Sequence, residues 1–151
     1  MDAHDQSVTH KYVIHYPSHE PRVDDPHYID FNRYHRLTRP TARCSIGIRY
    51  NDFSTCKDAQ GNPVTINPQG EMSGLELHHS HIEFAVMNAV DLSLLEKDYP
   101  GISNPNEVGA WVESAANLMW LCVFHHRGHA GAHTASASDY EAEQYIKNLI
   151  Q

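Results

Sequence analysis

The segment LELHHSHIEF, residues 75 to 84, sets His78, His79 and His81 within four positions, and a second run, HHRGHAGAH, adds His125, His126, His129 and His133. Thirteen histidines in 151 residues is roughly three to four times ordinary usage. Imidazole is the commonest side-chain metal ligand and the group best suited to accept a proton near neutral pH. Two clusters contributed by separate elements can converge on one ion. If the first cluster lies on a strand, successive side chains point to opposite faces. His78 and His79 then cannot share an ion, and one can hold a metal while the other faces a water.

The elements that must position these groups can be read from periodicity. LELHHSHIEF alternates apolar and polar residues as a half-buried strand does. IEFAVMNAVDLSLLEKDY carries apolar residues at helical spacing and ends at Pro100 and Gly101, which predicts a helix near 82 to 97. EVGAWVESAANL predicts a second short helix near 107 to 114, LMWLCVF a buried strand, and HHRGHAGAH a turn into a last helix, which Ser138 and Glu141 open with a capping box. Upstream, CSIGIRY reads as a strand, and DAQGNPVTINPQGEMSG as a hairpin or long loop. Residues 1 to 32 hold Pro17, Pro21 and Pro26 and read as an irregular arm with one short strand at KYVIHY. The expected division is a 1–74 N-terminal arm and turn-rich extension packed on the same domain, followed by a core over 75–151 with a C-terminal helix.

Composition bounds the function. A chain of this length with 40 % hydrophobic residues fits one compact α+β domain. No apolar run approaches the roughly 20 residues that span a bilayer, and the N-terminal residues lack the pattern of a leader, so a cytoplasmic protein without membrane contact is expected. A net charge of -8 argues against coating nucleic acid by bulk attraction, though local patches can still bind phosphate. Cys44, Cys56 and Cys122 form no CxxC pair and are expected as reduced core thiols, with no structural zinc.

The ELHH of residues 76 to 79, with NLMWLCVFHH of residues 117 to 126, resembles the HNH nuclease family. Asn117, Leu118, Leu121 and Cys122 fall where the family pattern Asn-Leu-x-x-Leu-Cys puts them, and Asn117 stands nine residues before His126 (126 minus 117). The likeness covers residues 75 to 133 and is nearest in appearance to HNH proteins of phages and actinobacteria; residues 1 to 74 take no part in it. It implies a small ββα-metal finger, here with inserted helices, that uses one divalent ion (Mg, Mn, Ni or Zn) to hydrolyse phosphodiester bonds in nucleic acid, DNA above all. By that pattern His78 and His126 are metal ligands, His79 is the general base, and Asn117 steadies the loop that carries them.

The chain departs from the pattern in two places. The gap from His79 to Asn117 is 38 residues (117 minus 79), longer than the compact motif, and the predicted helices fill it. The usual last ligand, four residues after His126, would be Ala130. His133, folded back by Gly128 and Gly131, is the preferred ligand; His129 in place of His133, or His125 paired with His129, are the alternatives. Substrate contacts are expected from Arg36 and Arg39, within the basic run RYHRLTRPTAR, and from Arg127 and His81. A non-catalytic metal-binding domain on the same scaffold, or a toxin-like RNase, would use the same residues.

Overall fold

The computed structural model describes residues 27–82, 87, 90–128 and 131–132. The arm with its KYVIHY strand, the capping box at Ser138 with the last helix, and His129 and His133 lie outside the described residues. Within them the architecture is mixed α and β, with five helices and one two-stranded antiparallel sheet. The helices are α1 (Tyr28–Thr38), α2 (Ser45–Tyr50), α3 (Leu92–Asp98), α4 (Pro105–Val112) and α5 (Val123–Arg127), and a short 3-10 turn at Arg39–Thr41 extends α1. The strands are β1 (Leu75–His79) and β2 (Leu118–Cys122), paired so that Leu75 faces Cys122 and His79 faces Leu118.

No described helix is long and apolar enough to cross a membrane. Buried apolar residues form two clusters, the first of which includes strand residues. One gathers Cys44, Ile46, Cys56, Met72, Leu121 and Cys122; the other gathers Met87, Leu95, Ile102, Val108, Trp111 and Val112.

The stretch expected as a strand at CSIGIRY is instead helix α2. Its first turn closes through Ile48 N donating to the Cys44 carbonyl (3.0 Å), and Asn51, at φ 51°, ends it in the left-handed conformation that asparagine tolerates. Alternation in a six-residue apolar run does not separate strand from helix. What favours the helix is packing: Gly47 lets the Phe53 ring sit against the helix, at 2.3 Å from where a Cβ would stand.

The turn-rich stretch forms two loops of one design. Asp58 Oδ1 accepts from the amides of Gln60 and Asn62 (both 2.9 Å), and Asn67 Oδ1 accepts from those of Gln69 (3.0 Å) and Glu71 (2.9 Å). Gly61 and Gly70 take the positive φ that each loop requires. Single ladder contacts close them, Lys57 to Pro63 and Ile66 to Met72, so hairpin character is present without long strands.

Of the helices expected between the strands, α4 has the expected length but lies two residues upstream of 107 to 114, and α3 covers the C-terminal part of the 82 to 97 span, of which residues 83–86 and 88–89 lie outside the described residues. Asp91 accepts from the Ser93 and Leu94 amides and so caps the start of α3. Asn104 caps α4, Pro105 occupies its first turn and Glu107 turns back to the Ser103 amide (2.7 Å). After β2 the expected turn is helix α5, capped by Cys122, whose sulfur accepts from the His125 amide at 3.4 Å.

Candidate functional site

Strand alternation divides the histidines of β1. Glu76 and His78 share one face, while His79 lies on the other with Leu75 and Leu77. On the first face the His78 and His126 rings approach to 5.0 Å between centroids with a 60° tilt. Two imidazoles bound through nitrogen to one tetrahedral ion stand about 5 Å apart on the same measure, given metal–nitrogen bonds of about 2.0 to 2.1 Å. His78 and His126 therefore fit a shared cation.

Glu76, to which sequence reading gives no role, anchors this face. Its Oε2 lies 2.7 Å from His126 Nδ1 and accepts from Arg127 Nε at 3.0 Å, while Arg127 Nη2 meets Oε1 at 2.8 Å. A carboxylate on the Nδ1 of a ligating histidine fixes the ring and directs Nε2 to the metal. Arg127 closes a fork on the same carboxylate and lines an open groove of about 370 Å³ with Lys57, Asp58, Val123 and Phe124.

His79 turns the other way. Its Nε2 lies 3.0 Å from Glu113 Oε2, and the Phe31 ring of α1 stacks on it at 5.3 Å with planes 19° apart. His81 is exposed and lies over Trp111, at 6.2 Å between centroids, and beside Tyr99.

Asn117 is fully buried. Its Oδ1 accepts from the amides of His81 and Ile82 (both 2.9 Å), and its Nδ2 donates to the carbonyls of Ile82 (2.9 Å) and Val112 (3.0 Å). Its own carbonyl accepts from the Ser80 amide at 2.7 Å. One side chain thus staples the end of β1 to the end of α4, which fixes where the β1 histidines point.

The arginine run divides. Arg36 is exposed on α1. Arg39 is partly buried, donates to the Met72 carbonyl (2.7 Å) and lies 5.8 Å from the Trp120 ring. Arg43 joins the carbonyls of Ala42 and Gly70. Arg39 and Arg43 tie α1 and its 3-10 extension to the 64–73 segment.

The cysteines correct an expectation. Cys44, Cys56 and Cys122 are not scattered core thiols: with His125 they form a buried cluster whose ligand atoms all lie within 4.8 Å of one another, able to hold a metal ion. His125 Nδ1 stands 3.2, 3.3 and 3.7 Å from the sulfurs of Cys122, Cys44 and Cys56. Donors around a tetrahedral ion with bonds of about 2.0 to 2.3 Å are separated by about 3.5 Å, so the cluster is already near that geometry. On the far side of the ring Thr55 Oγ1 lies 3.2 Å from Nε2. An Nε2–H donated to that hydroxyl aims the Nδ1 lone pair at the sulfurs.

The electrostatics agree. Hydrogen bonds with Cys122 and Cys56 pull the Cys44 thiol down, whereas hydrogen bonds with Cys122 and Cys44, together with burial, push Cys56 up. One negative charge forms readily and further ones are resisted, as in a coupled set that lacks a cation. Burial alone would lower His125, but hydrogen bonds to Cys122 and Cys44 outweigh it and push it up to about 9.

Sequence reading missed this set because Cys44 and Cys56 are separated by α2 and a turn. The short-range signal was Cys122-x-x-His125, a metal spacing of mixed type, hidden inside the HHRGHAGAH cluster. His125, which the sequence offers as a partner of His129, belongs to the cysteines instead.

Comparison with protein-family models, with curated proteins and with solved structures finds no match for this chain.

Proposed function

We propose that this chain is a metal-dependent endonuclease of HNH type that hydrolyses phosphodiester bonds in nucleic acid, with DNA as its substrate. The observation that carries the reading is the division of labour on β1: His78 meets His126 across one face, and His79, one residue on, faces a buried carboxylate on the other. Strand, strand and helix follow as β1, β2 and α5, the order of a ββα finger.

In this reading His79 takes the proton from an attacking water, and His78 and His126, with His133 completing the set, hold a divalent cation. When bound there, such a cation would supply positive charge for the phosphate and the leaving oxygen. Glu76 orients His126, and Asn117 holds the end of β1 so that base and ligand keep their separation. Arg127 contacts phosphate beside the groove, Arg36 offers a basic group on the exposed face of α1, His81 serves the substrate side, and Arg39, expected as a substrate contact, is instead taken up by the Met72 carbonyl and the Trp120 ring.

The second centre is structural. Three thiolates and one imidazole, all buried, form a closed four-ligand set, which selects zinc over magnesium and leaves no position for a reacting water. Its zinc pins α2, the 56–63 loop and the start of α5 together, so α5 presents His126 to His78.

The test is cleavage of plasmid and of total RNA by the purified, zinc-loaded chain, with and without added Mg²⁺, Mn²⁺, Ni²⁺ or Zn²⁺. Metal-dependent nicking or linearisation of the plasmid is expected. Cleavage of RNA alone would move the substrate class, and no cleavage of either with any ion would sink the nuclease reading.

A further inference from the structure

Glu113 is a carboxylate placed where carboxylates are expensive. Only 3 % of the residue is exposed, and it follows the last turn of α4, directly after Trp111 and Val112 of the second apolar cluster. Burying an ionised carboxylate costs several kcal/mol unless donors compensate. Nε2 of His79 meets the carboxylate at 3.0 Å.

An ionised carboxylate can only accept, so the histidine must carry its proton on Nε2. A neutral imidazole has one N–H, and the other nitrogen is then the basic one. Glu113 therefore selects the tautomer in which Nδ1 takes up a proton, and it stabilises the imidazolium that forms when it does. Phe31 stacks along the ring plane and Asn117 fixes the backbone immediately beyond His79. Plane, rotation and tautomer of one imidazole are each set by a different element.

We propose that Glu113 is the positioning residue of the His79 base: it accepts the Nε2 proton of His79 and so makes Nδ1 the atom that deprotonates the attacking water. The proton moves from water to Nδ1, the hydroxide forms the new bond to phosphorus, and the departing sugar oxygen leaves with the electron pair of the broken bond. Glu113 keeps no proton at the end of this step. The inference deepens the nuclease reading and rests on it for its kinetic consequence, but not for its structural one.

The full zinc-loaded chain allows both to be measured. Two-bond ¹H–¹⁵N spectra at about pH 8, above the histidine range, with His79 assigned from His79→Ala, should show the Nε2–H tautomer. An Nδ1–H tautomer or an imidazolium would overturn the proposal, whether or not the chain cuts nucleic acid. In kinetics, Glu113→Gln should lower kcat by about 10- to 10³-fold, bounded by the smaller effects of orienting groups and the larger loss when a base is held in the wrong tautomer. KM and the content of both metals should stay unchanged. In a His79→Ala background the same substitution should cost nothing further, since residues acting as a unit are not additive. An equal loss with and without His79 would reduce Glu113 to a structural buried residue. If Glu113→Gln does not fold, Glu113→Asp keeps the charge and withdraws it by one methylene; a partial loss of kcat at unchanged KM supports the positioning role, and no loss refutes it. A wild-type chain without nuclease activity but with an Nε2–H His79 would remove the nuclease reading and leave the Glu113 contact standing.

Discussion

Two adjacent histidines, His125 and His126, carry different assignments, and substitution separates them. His125 stands inside the sulfur cluster at 2 % exposure, whereas His126 turns outward to Glu76 and His78. His125→Ala should abolish tight zinc binding and destabilise the fold by several kcal/mol, because a structural zinc site contributes its binding energy directly to folding. His126→Ala should leave zinc content and Tm nearly unchanged while weakening binding of a second divalent ion by about 10-fold or more. Zinc stoichiometry by mass spectrometry of the native chain, with calorimetric titration of Mn²⁺ or Ni²⁺, checks both. Loss of the same ion in both variants would merge the two centres into one.

At the scale of elements, the helix that carries Cys44 depends on a glycine. A Cβ at Gly47 would stand 2.3 and 2.4 Å from two atoms of the Phe53 ring, so Gly47→Ala should push α2 away or force the ring out. The cost expected from overpacking is about 1 to 3 kcal/mol, and zinc affinity should fall with it because Cys44 moves as α2 moves. Asn117→Ala removes four hydrogen bonds of one buried side chain and should cost about 2 to 4 kcal/mol, with disorder spreading along 80 to 82 in hydrogen exchange. The reach of sequence reading follows from the same contacts. β1 and β2 are legible because alternation and an apolar run directly reflect one-sided and two-sided burial. The segment around Gly47 is misread because its helix is decided by Phe53, a partner outside the segment. The buried cysteine–histidine cluster is misread for a related reason: only the folded 44–63 stretch brings Cys44 and Cys56 to Cys122 and His125. Glu113 has no local signal, since its meaning lies in a histidine 34 residues away (113 minus 79).

For the whole molecule, the sulfur cluster joins segments far apart in the chain, so its occupancy should govern global stability and set its dependence on pH. Without a cation, His125 is pushed up to about 9 by its hydrogen bonds to Cys122 and Cys44 despite burial. A folded value above the unfolded one of about 6.5 means that the folded state holds its proton more tightly. That contribution is fully present below about 6.5 and fades as pH rises through about 9, but the Cys44 thiol, pulled down in the folded state, contributes stability that rises with pH over the same range, so the two nearly cancel. With zinc bound, His125 Nδ1 must be unprotonated and the three cysteines must be thiolates, so the unfolded chain binds more protons than the folded one. Stability then rises with pH over the same range, and acid releases the metal. Thermal unfolding of the chelator-treated and zinc-loaded chains from pH 6 to 9 should give a nearly flat profile without the ion and a rising one with it, with the widest separation in Tm at the alkaline end. The cluster of Cys44, Cys56, Met72 and Leu121 should lose hydrogen-exchange protection on chelation before the Leu95, Val108 and Trp111 cluster does, since only the first surrounds the ligands. Parallel pH slopes in the two forms would mean that no ion is held by these four residues.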